Sequence, residues 1–376
     1  MEPLKVVLPE RHRGEITELP GDVEVAWYAD SEDCLHAIAD AEVVWLDFGI
    51  ENIERVIEAG RRLRWVTMAA TGVDSLPLAL FASRDLVLTN GAGLGATPIS
   101  EYVVMALLAG LKGLPDLVRA QDRREWLSRP PRLDELHGRR ALILGYGSIG
   151  RAIGDRLRSF GVTVTGVRRN PGGEAGVIGS ADWRARLPET DLLIVSVPLT
   201  GATRAVVGQP ELDALPRGAW VANIARGALL DETALVTALK SGHLGGAYLD
   251  VTFTEPLPAD SELWALPNLI LTPHSSWATE KLTRRAVEIF LANLDRYRRG
   301  EPPGNVVDLE AGHLVPPRVP GHGNGTTGPA HRYHDPDHAS PTRPRGPRTL
   351  PAPLRAPPRL HHTSASVAVT VPPRRT

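Results

Sequence analysis

The chain has 376 residues, of which 42% are hydrophobic and 23% are charged, and its formal net charge at pH 7 is −2. At roughly 100–200 residues per domain, this length predicts two domains with sizeable cores. The near-neutral charge argues against a dedicated nucleic-acid or membrane partner, and no stretch of the sequence reaches the ~20 uninterrupted apolar residues of a membrane span.

The first hundred residues alternate between strand and helix patterns. Apolar runs predict strands at LKVVL, VEVAW, EVVWLDF and LRWVTMA, with helices over Ser31–Ala41 and Ile53–Glu58. Parallel strands joined by helices are the expected result of this alternation. Cys34, the single cysteine, lies on one face of the first helix, where we expect a packing thiol rather than a nucleophile. A lone cysteine and an N-terminus without a signal-like pattern favour the cytoplasm.

A long helix is predicted after the glycine-rich segment TNGAGLGATP. Pro98 fits its first turn, the apolar residues of ISEYVVMALLAGLKGLPDLVRA recur at helical spacing, and Pro115 is expected to kink it. A second alternating block follows, and its near-continuous apolar runs are typical of strands buried on both faces. These runs are RRALILGYG, VTVTGVR, TDLLIVSVP, AWVANIARG, GGAYLDV and NLILTP.

The turn after the first of these strands predicts a dinucleotide site. Gly145, Gly147 and Gly150 form a GxGxxG pattern between the strand ALIL and a helix, with Ser148 and Ile149 at the helix start. The first glycine permits the tight turn, the second admits a pyrophosphate, and the third lets the helix pack on the strand. The helix N-terminus provides unpaired N–H groups for the phosphates. The pattern alone is weak, but the strand–turn–helix–strand order strengthens it.

The end of the next strand indicates which cofactor binds. NAD sites usually carry Asp or Glu there for the ribose hydroxyls, whereas this chain has Arg168 and Arg169. Two guanidiniums suit a 2′-phosphate. We therefore predict NADP(H) as the preferred cofactor and NAD(H) as the alternative, since the arginines could also be solvated loop charges.

Three polar residues each follow an apolar strand. Arg226 follows AWVANIA, Glu255 follows GGAYLDV, and His274 follows NLILTP. The carboxyl ends of parallel strands face one crevice, so we expect these side chains to meet. A guanidinium, a carboxylate and an imidazole can hold an acid anion and transfer one proton. Each residue alone could be structural, but three at successive strand ends predict a catalytic site.

The predicted fold class is α/β, with two Rossmann-like, doubly wound parallel-sheet domains. Residues 1–97 begin a flavodoxin-like substrate-binding domain, residues 98–282 form a Rossmann domain, and residues 283–312 return to the first domain. Residues 313–376 contain 14 of the 33 prolines and nine arginines but no lysine. This Pro/Arg-rich tail has too few apolar residues to offset its ordering entropy and is predicted to be disordered.

The sequence resembles the D-2-hydroxyacid dehydrogenase family (D-isomer specific) over residues 1–311. The matching segments are TGVD at 71–74, ISEYVVMALL at 99–108, GYGSIG at 145–150, VPLTGATR at 197–204, NIARGALLDE at 223–232, LDVTFTEPLP at 249–258 and LTPHSSWAT at 271–279. The resemblance implies a split substrate domain, a cleft between two domains, and a homodimer to which the helix from Pro98 contributes. It implies hydride transfer between a nicotinamide and a small 2-keto or 2-hydroxy acid, with no metal.

The resemblance also implies residue roles. Arg226 would bind the substrate carboxylate and polarise the carbonyl, His274 would protonate the carbonyl oxygen, and Glu255 would orient the imidazole and favour its charged form. Backbone N–H groups of Gly72 and Val73 would bind the carboxylate. Asp250 would hold the nicotinamide carboxamide. Further cofactor contacts are expected from Val197, Pro198, Thr203, Ile224, Ala225 and Ser276.

The favoured activity is that of a glyoxylate/hydroxypyruvate reductase. The alternatives are an NAD-linked enzyme resembling phosphoglycerate dehydrogenases, and a cofactor-sensing binding protein resembling transcriptional corepressors of the same fold. The tail bears no sign of the regulatory domain found on some phosphoglycerate dehydrogenases. Candidate walls for the substrate side chain are Trp45, Phe48, Leu76 and Trp277.

Overall fold

The computed structural model describes residues 2–129, 134–310 and 312–314, and the predicted disordered tail lies outside these residues except at its first two positions. The strands are β1 (Leu4–Pro9), β2 (Val23–Tyr28), β3 (Val43–Leu46), β4 (Trp65–Met68), β5 (Val87–Thr89), β6 (Arg140–Leu144), β7 (Thr163–Arg168), β8 (Val177–Gly179), β9 (Leu192–Val195), β10 (Trp220–Asn223), β11 (Gly246–Leu249), β12 (Leu269–Leu271), β13 (Val307–Asp308) and β14 (His313–Leu314). The α-helices are α1 (Ser31–Ala37), α2 (Ile53–Ala59), α3 (Leu78–Ser83), α4 (Ala96–Leu111), α5 (Leu114–Asp122), α6 (Ser148–Ser159), α7 (Gln209–Ala214), α8 (Glu232–Lys240) and α9 (Leu282–Arg298).

The N-terminal sheet is parallel and has the strand order β2-β1-β3-β4-β5. All four residues of β3 are buried, because helices cover both faces of the sheet. The α1/α2 face contains Cys34, whose burial raises the pKa of the thiol to about 12, as befits a packing residue. On the other face Phe290 of α9 packs against β3 and β4. Helix α9 therefore lies on the N-terminal sheet.

Two of the four candidate substrate-pocket walls belong to this core instead. Trp45 lies in β3 and packs between His12 and Phe290, and Leu76 packs in the cluster on the opposite face. Their assignment as pocket walls is wrong. The alternation of apolar and polar residues along a strand cannot show that Trp45 of β3 lies in the core, because a strand buried on both faces has no solvent side.

The second sheet is also parallel, in the order β12-β11-β10-β9-β6-β7-β8. The chain runs from β6 outward through β7 and β8, then restarts on the other side of β6 with β9. This reversal makes the topological switch point at which doubly wound sheets bind ligands. The predicted fold class, two doubly wound parallel α/β sheets, is confirmed.

The predicted long helix is two helices rather than one kinked helix. Helix α4 ends at Leu111, and Gly113 adopts a left-handed conformation with φ of +66° before α5 begins. Pro115 lies in the first turn of α5, where its missing N–H costs no hydrogen bond. Helix α4 approaches the second sheet closely: a Cβ added to Gly110 would lie 1.9 Å from the Trp220 ring.

Within the described residues, no helix combines the length and apolar character needed to cross a membrane.

Candidate active site

The glycine-rich turn between β6 and α6 is tightly packed at two of its glycines and open at the third. Gly145 has φ of +91°, and a Cβ there would lie 2.3 Å from the Ser196 carbonyl oxygen. A Cβ on Gly150 would lie 2.2 Å from the Gly145 carbonyl oxygen, so both glycines are needed for packing. Gly147 differs, because a Cβ there would meet nothing within 4 Å. The turn is therefore open at Gly147, the residue that precedes the first residue of α6, Ser148, and these residues fit a dinucleotide phosphate.

The end of β7 carries both predicted arginines and an unexpected carboxylate. Arg168 is half-buried and Arg169 is exposed. Glu174 lies 4.0 Å from Arg168 and forms a bidentate pair with Arg151 of α6, with 2.6 Å between Nη2 and Oε2. Arg151 lowers the pKa of Glu174. The sequence interpretation placed no acidic group here, since Glu174 reaches the strand end through a loop.

The loop after β9 carries three of the other predicted cofactor residues. The Thr203 hydroxyl donates to the Pro198 carbonyl oxygen at 2.6 Å and accepts from the Thr200 N–H at 2.8 Å, so it fixes the loop that Val197 begins. After β10, Ile224 is buried and donates its N–H to Val195 of the neighbouring strand. These residues lie at the carboxyl ends of β9 and β10, beside the glycine-rich turn of β6.

Asp250 lies directly after β11 and is buried, with 2% of its surface exposed. Its Oδ1 accepts from the Thr272 hydroxyl at 2.6 Å and from the N–H groups of Ser275 and Ser276 at 3.0 and 3.1 Å. Its Oδ2 accepts from the Ser276 hydroxyl. The carboxylate therefore holds the turn 272–276, and its role in binding the nicotinamide carboxamide stays a prediction. Ser276, also predicted to contact the cofactor, is buried as a donor to this carboxylate.

His274 lies in the turn that Asp250 holds. Its N–H donates to the Asp250 carbonyl oxygen at 2.7 Å, and its backbone is left-handed with φ of +50°. Its Nδ1 donates to Glu255 Oε2 at 2.8 Å, while Glu255 Oε1 accepts the Thr252 N–H at 3.0 Å. With Nδ1 bonded to a carboxylate, Nε2 is the ring nitrogen left to exchange a proton with a substrate.

The strand register explains how these residues meet. Asn223, Leu249 and Leu271 are aligned at the ends of β10, β11 and β12. Arg226 and His274 each follow their strand end by three residues, on the two strands that flank β11. The buried Asn223 amide donates to the Arg226 carbonyl oxygen at 2.8 Å and so fixes the backbone there. Arg226, Glu255 and His274 thus lie at one edge of the sheet.

The loop after β4 carries Gly72 and Val73, whose backbone N–H groups are predicted to bind the substrate carboxylate. The N–H groups of Gly72 and Val73 donate to no acceptor within the part of the chain that the structure describes. A Cβ on Gly72 would lie 1.8 Å from Arg226 Nη2, so this loop contacts the guanidinium directly. The same loop contains Asp74, which sequence reasoning missed and which pairs with Arg226 at 2.9 Å.

Phe48 and Trp277, the other two candidate walls, contact each other. Their rings stack with 5.9 Å between centroids, and the Trp277 indole donates to the His274 carbonyl oxygen at 2.8 Å. Both side chains remain partly exposed. This aromatic pair lies beside the turn that carries His274, whereas Trp45 and Leu76 do not.

A dinucleotide turn at the switch point and an imidazole–carboxylate pair at neighbouring strand ends define an NAD(P)-dependent oxidoreductase. Residues 104–276 match the family described as D-isomer specific 2-hydroxyacid dehydrogenase, NAD binding domain. The glyoxylate reductase of Thermococcus kodakarensis is 32% identical over 292 residues, 75% of this chain and 86% of its own length. The chain belongs to the D-isomer specific 2-hydroxyacid dehydrogenase family.

Two further relatives bear on the activity. The D-3-phosphoglycerate dehydrogenase of Methanocaldococcus jannaschii is 30% identical over 299 residues, 78% of this chain, and the chain spans 57% of that relative's length. The NADPH-dependent glyoxylate/hydroxypyruvate reductase of Sinorhizobium meliloti, solved in complex with NADP and sulfate, superimposes with a TM-score of 0.71 at 26% identity. That match covers 82% of this chain and 99% of the other.

Proposed function

We propose that this enzyme reduces small 2-keto acids with NADPH, as glyoxylate/hydroxypyruvate reductases do. The observation that carries the proposal is the 2.8 Å pair between His274 Nδ1 and Glu255 Oε2, at the strand ends beside Arg226. Relatives named glyoxylate reductase and glyoxylate/hydroxypyruvate reductase support the substrate class.

Each residue would act on a defined atom of the substrate. Bound NADPH supplies the hydride for the carbonyl carbon. Arg226 and the open N–H groups of Gly72 and Val73 bind the carboxylate of the keto acid. Negative charge develops on the carbonyl oxygen, and a guanidinium placed beforehand stabilises it without reorganisation. His274 gives that oxygen the proton from Nε2, and Glu255 holds the Nδ1 proton throughout, which keeps the ring oriented.

The proposed preference for NADPH rests on Arg168 and Arg169 at the end of β7. Two guanidiniums can bind a 2′-phosphate, and a solved relative carries NADP. The Arg168→Asp variant should lower the ratio of kcat/KM with NADPH to that with NADH by about tenfold or more. A ratio that does not change would contradict the assignment. The exposed Arg204→Asp serves as the matched control on a neighbouring loop.

The test of the proposed reaction is the consumption of NADPH with glyoxylate, hydroxypyruvate and a branched 2-keto acid. Turnover of one of the first two, above that of the branched acid, is the expected result. Because one relative is a phosphoglycerate dehydrogenase, phosphohydroxypyruvate with NADH is the second assay. Tight NADPH binding without turnover of any keto acid would favour the cofactor-sensing protein instead.

We also propose a cytoplasmic homodimer with a split substrate domain. The packing of α9 on the first sheet and of α4 against the second supports domains over residues 1–97 with 283–312 and over 98–282. A groove exposes Met105, Leu114 and Phe160 on α4, α5 and the end of α6, and a second copy would cover these side chains. Met105→Glu should lower the mass measured by light scattering, while the exposed Trp264→Gln should not.

A further inference from the structure

Asp74 forms a bidentate ion pair with Arg226 across the gap between the two sheets. Asp74 follows β4 in the first sheet, Arg226 follows β10 in the second, and 152 positions separate them in sequence. Arg226 Nε donates to Asp74 Oδ2 at 3.1 Å, and Nη2 donates to Oδ1 at 2.9 Å. Two parallel bonds of this kind fix both the position and the plane of a guanidinium.

We propose that Asp74 is a positioning residue that holds the guanidinium of Arg226 in the orientation that receives the keto acid. This inference rests on the proposed function, because it assigns a role in binding the same substrate. Asp74 would stay paired with Arg226 while the substrate is bound, instead of being displaced by it.

A count of hydrogen-bond donors supports continued pairing. A guanidinium has five N–H groups. Asp74 takes the Nε–H and one hydrogen of Nη2, and the Ala225 carbonyl oxygen takes one hydrogen of Nη1 at 2.7 Å. Within the described residues, one N–H on each terminal nitrogen has no acceptor. A pair of N–H groups on adjacent nitrogens is what a planar carboxylate accepts.

The surroundings of the pair support the same role. Gly72 has no side chain, and any Cβ there would lie 1.8 Å from Nη2, so the backbone at Gly72 lies directly against the guanidinium. The open N–H groups of Gly72 and Val73 belong to the same loop as Asp74, so the bonds between Asp74 and Arg226 also tie that loop to the guanidinium. Burial raises the pKa of Asp74, but the hydrogen bonds and charge of Arg226, with a smaller effect of His274, lower it overall. Asp74 is therefore an anion at neutral pH.

The opposite interpretation is that Asp74 occupies the place of the substrate carboxylate and must leave before the substrate binds. The two interpretations predict opposite effects of removing the charge. A positioning carboxylate strengthens the binding of an anion to Arg226, because it holds the free N–H groups in one direction. A competing carboxylate weakens it.

The experiment compares Asp74→Asn with wild type in two measurements. Asp74→Asn should lower kcat/KM for glyoxylate by about 10- to 100-fold, and should weaken oxalate binding to the NADP⁺-loaded enzyme, measured by calorimetry, by about tenfold. The Kd of NADPH and the melting temperature should stay near the wild-type values. Asp22→Asn is the matched control, because it removes a comparable pair with Arg298, 2.6 Å between Nη2 and Oδ1, away from this edge.

Oxalate affinity in an Arg226→Lys background tests whether Asp74 acts through the guanidinium. Lysine lacks the planar fork, so Asp74→Asn should lose most of its effect there. An equal effect in both backgrounds would overturn the inference, and so would unchanged or tighter oxalate binding in the single variant. If wild type reduces no keto acid, the proposed function fails, while the oxalate measurements still decide the role of Asp74.

Discussion

The two halves of the second sheet hold their functional side chains in different ways. At the ends of β10 and β11, the buried Asn223 and Asp250 bond the backbone of the segments that carry Arg226 and His274. At the end of β7, Arg151, Glu174 and Arg168 form ion pairs in which each side chain keeps at least a third of its surface exposed.

This difference indicates how each half responds to substitution. A buried polar anchor loses several bonds at once when it is changed, and an unsatisfied buried group costs about 1–3 kcal/mol. Exposed ion pairs contribute about 0–1 kcal/mol, because water and salt replace them. We call the side of the sheet with β10 and β11 the catalytic half and the side with β7 the cofactor half. Single changes in the catalytic half should therefore lower activity and stability, whereas single changes in the cofactor half should alter cofactor specificity with little loss of stability.

The largest effect should come from the catalytic half itself. His274→Ala removes the proposed proton donor, so kcat for glyoxylate reduction should fall by about 10²–10⁴-fold while the Kd of NADPH stays near its wild-type value. His36→Ala, which changes an exposed histidine of α1, is the control. Equal losses in turnover and cofactor affinity would show that His274 is structural.

The Asp250→Asn variant tests how much the buried carboxylate of Asp250 contributes to activity and stability. In Asp250→Asn an amide replaces the carboxylate that accepts from Thr272, Ser275 and Ser276, so one of these donors would face an NH₂ group. We expect kcat to fall by about 10- to 100-fold and the protein to lose about 1–3 kcal/mol of unfolding free energy. Urea unfolding and initial rates measure both, with the exposed Asp260→Asn as the control. A normal kcat would remove the distinction between the two halves.

The smallest effect is expected in the cofactor half. Glu174→Gln removes the negative charge beside Arg168, so NADPH should bind a few-fold more tightly, and the free energy of unfolding should change by less than about 1 kcal/mol. Binding of adenosine 2′-phosphate, followed by calorimetry, isolates the phosphate contribution. Glu189→Gln is the matched control, because it breaks a comparable exposed ion pair with Arg186 elsewhere in the protein. Weaker binding in Glu174→Gln would mean that Glu174 orders the arginines for the phosphate.

Much of the fold could be predicted because its signals are local. Each apolar run of the second block became a strand, and the glycine spacing marked the turn between β6 and α6. The predictions do not include the short strands β5 and β8 or the short helices α3 and α7, since three to six residues carry too little periodicity to detect. They also do not include the nine-residue helix α8. The kink predicted at Pro115 is instead a break between α4 and α5, because the left-handed Gly113 separates the two helices before Pro115 is reached.

The amino-acid sequence is enough to predict the parallel-sheet class, the glycine-rich turn, and the placement of Arg226, Glu255 and His274 after strands, because strand periodicity and glycine spacing are properties of neighbouring residues. The folded structure is needed to show that Asp74 pairs with Arg226, that Glu174 reaches the end of β7, that Asp250 is buried under the turn of His274, and that Trp45 belongs to the core. These contacts join residues far apart in the chain, and which of them form depends on how the helices and loops pack around the two sheets. No local pattern records that packing.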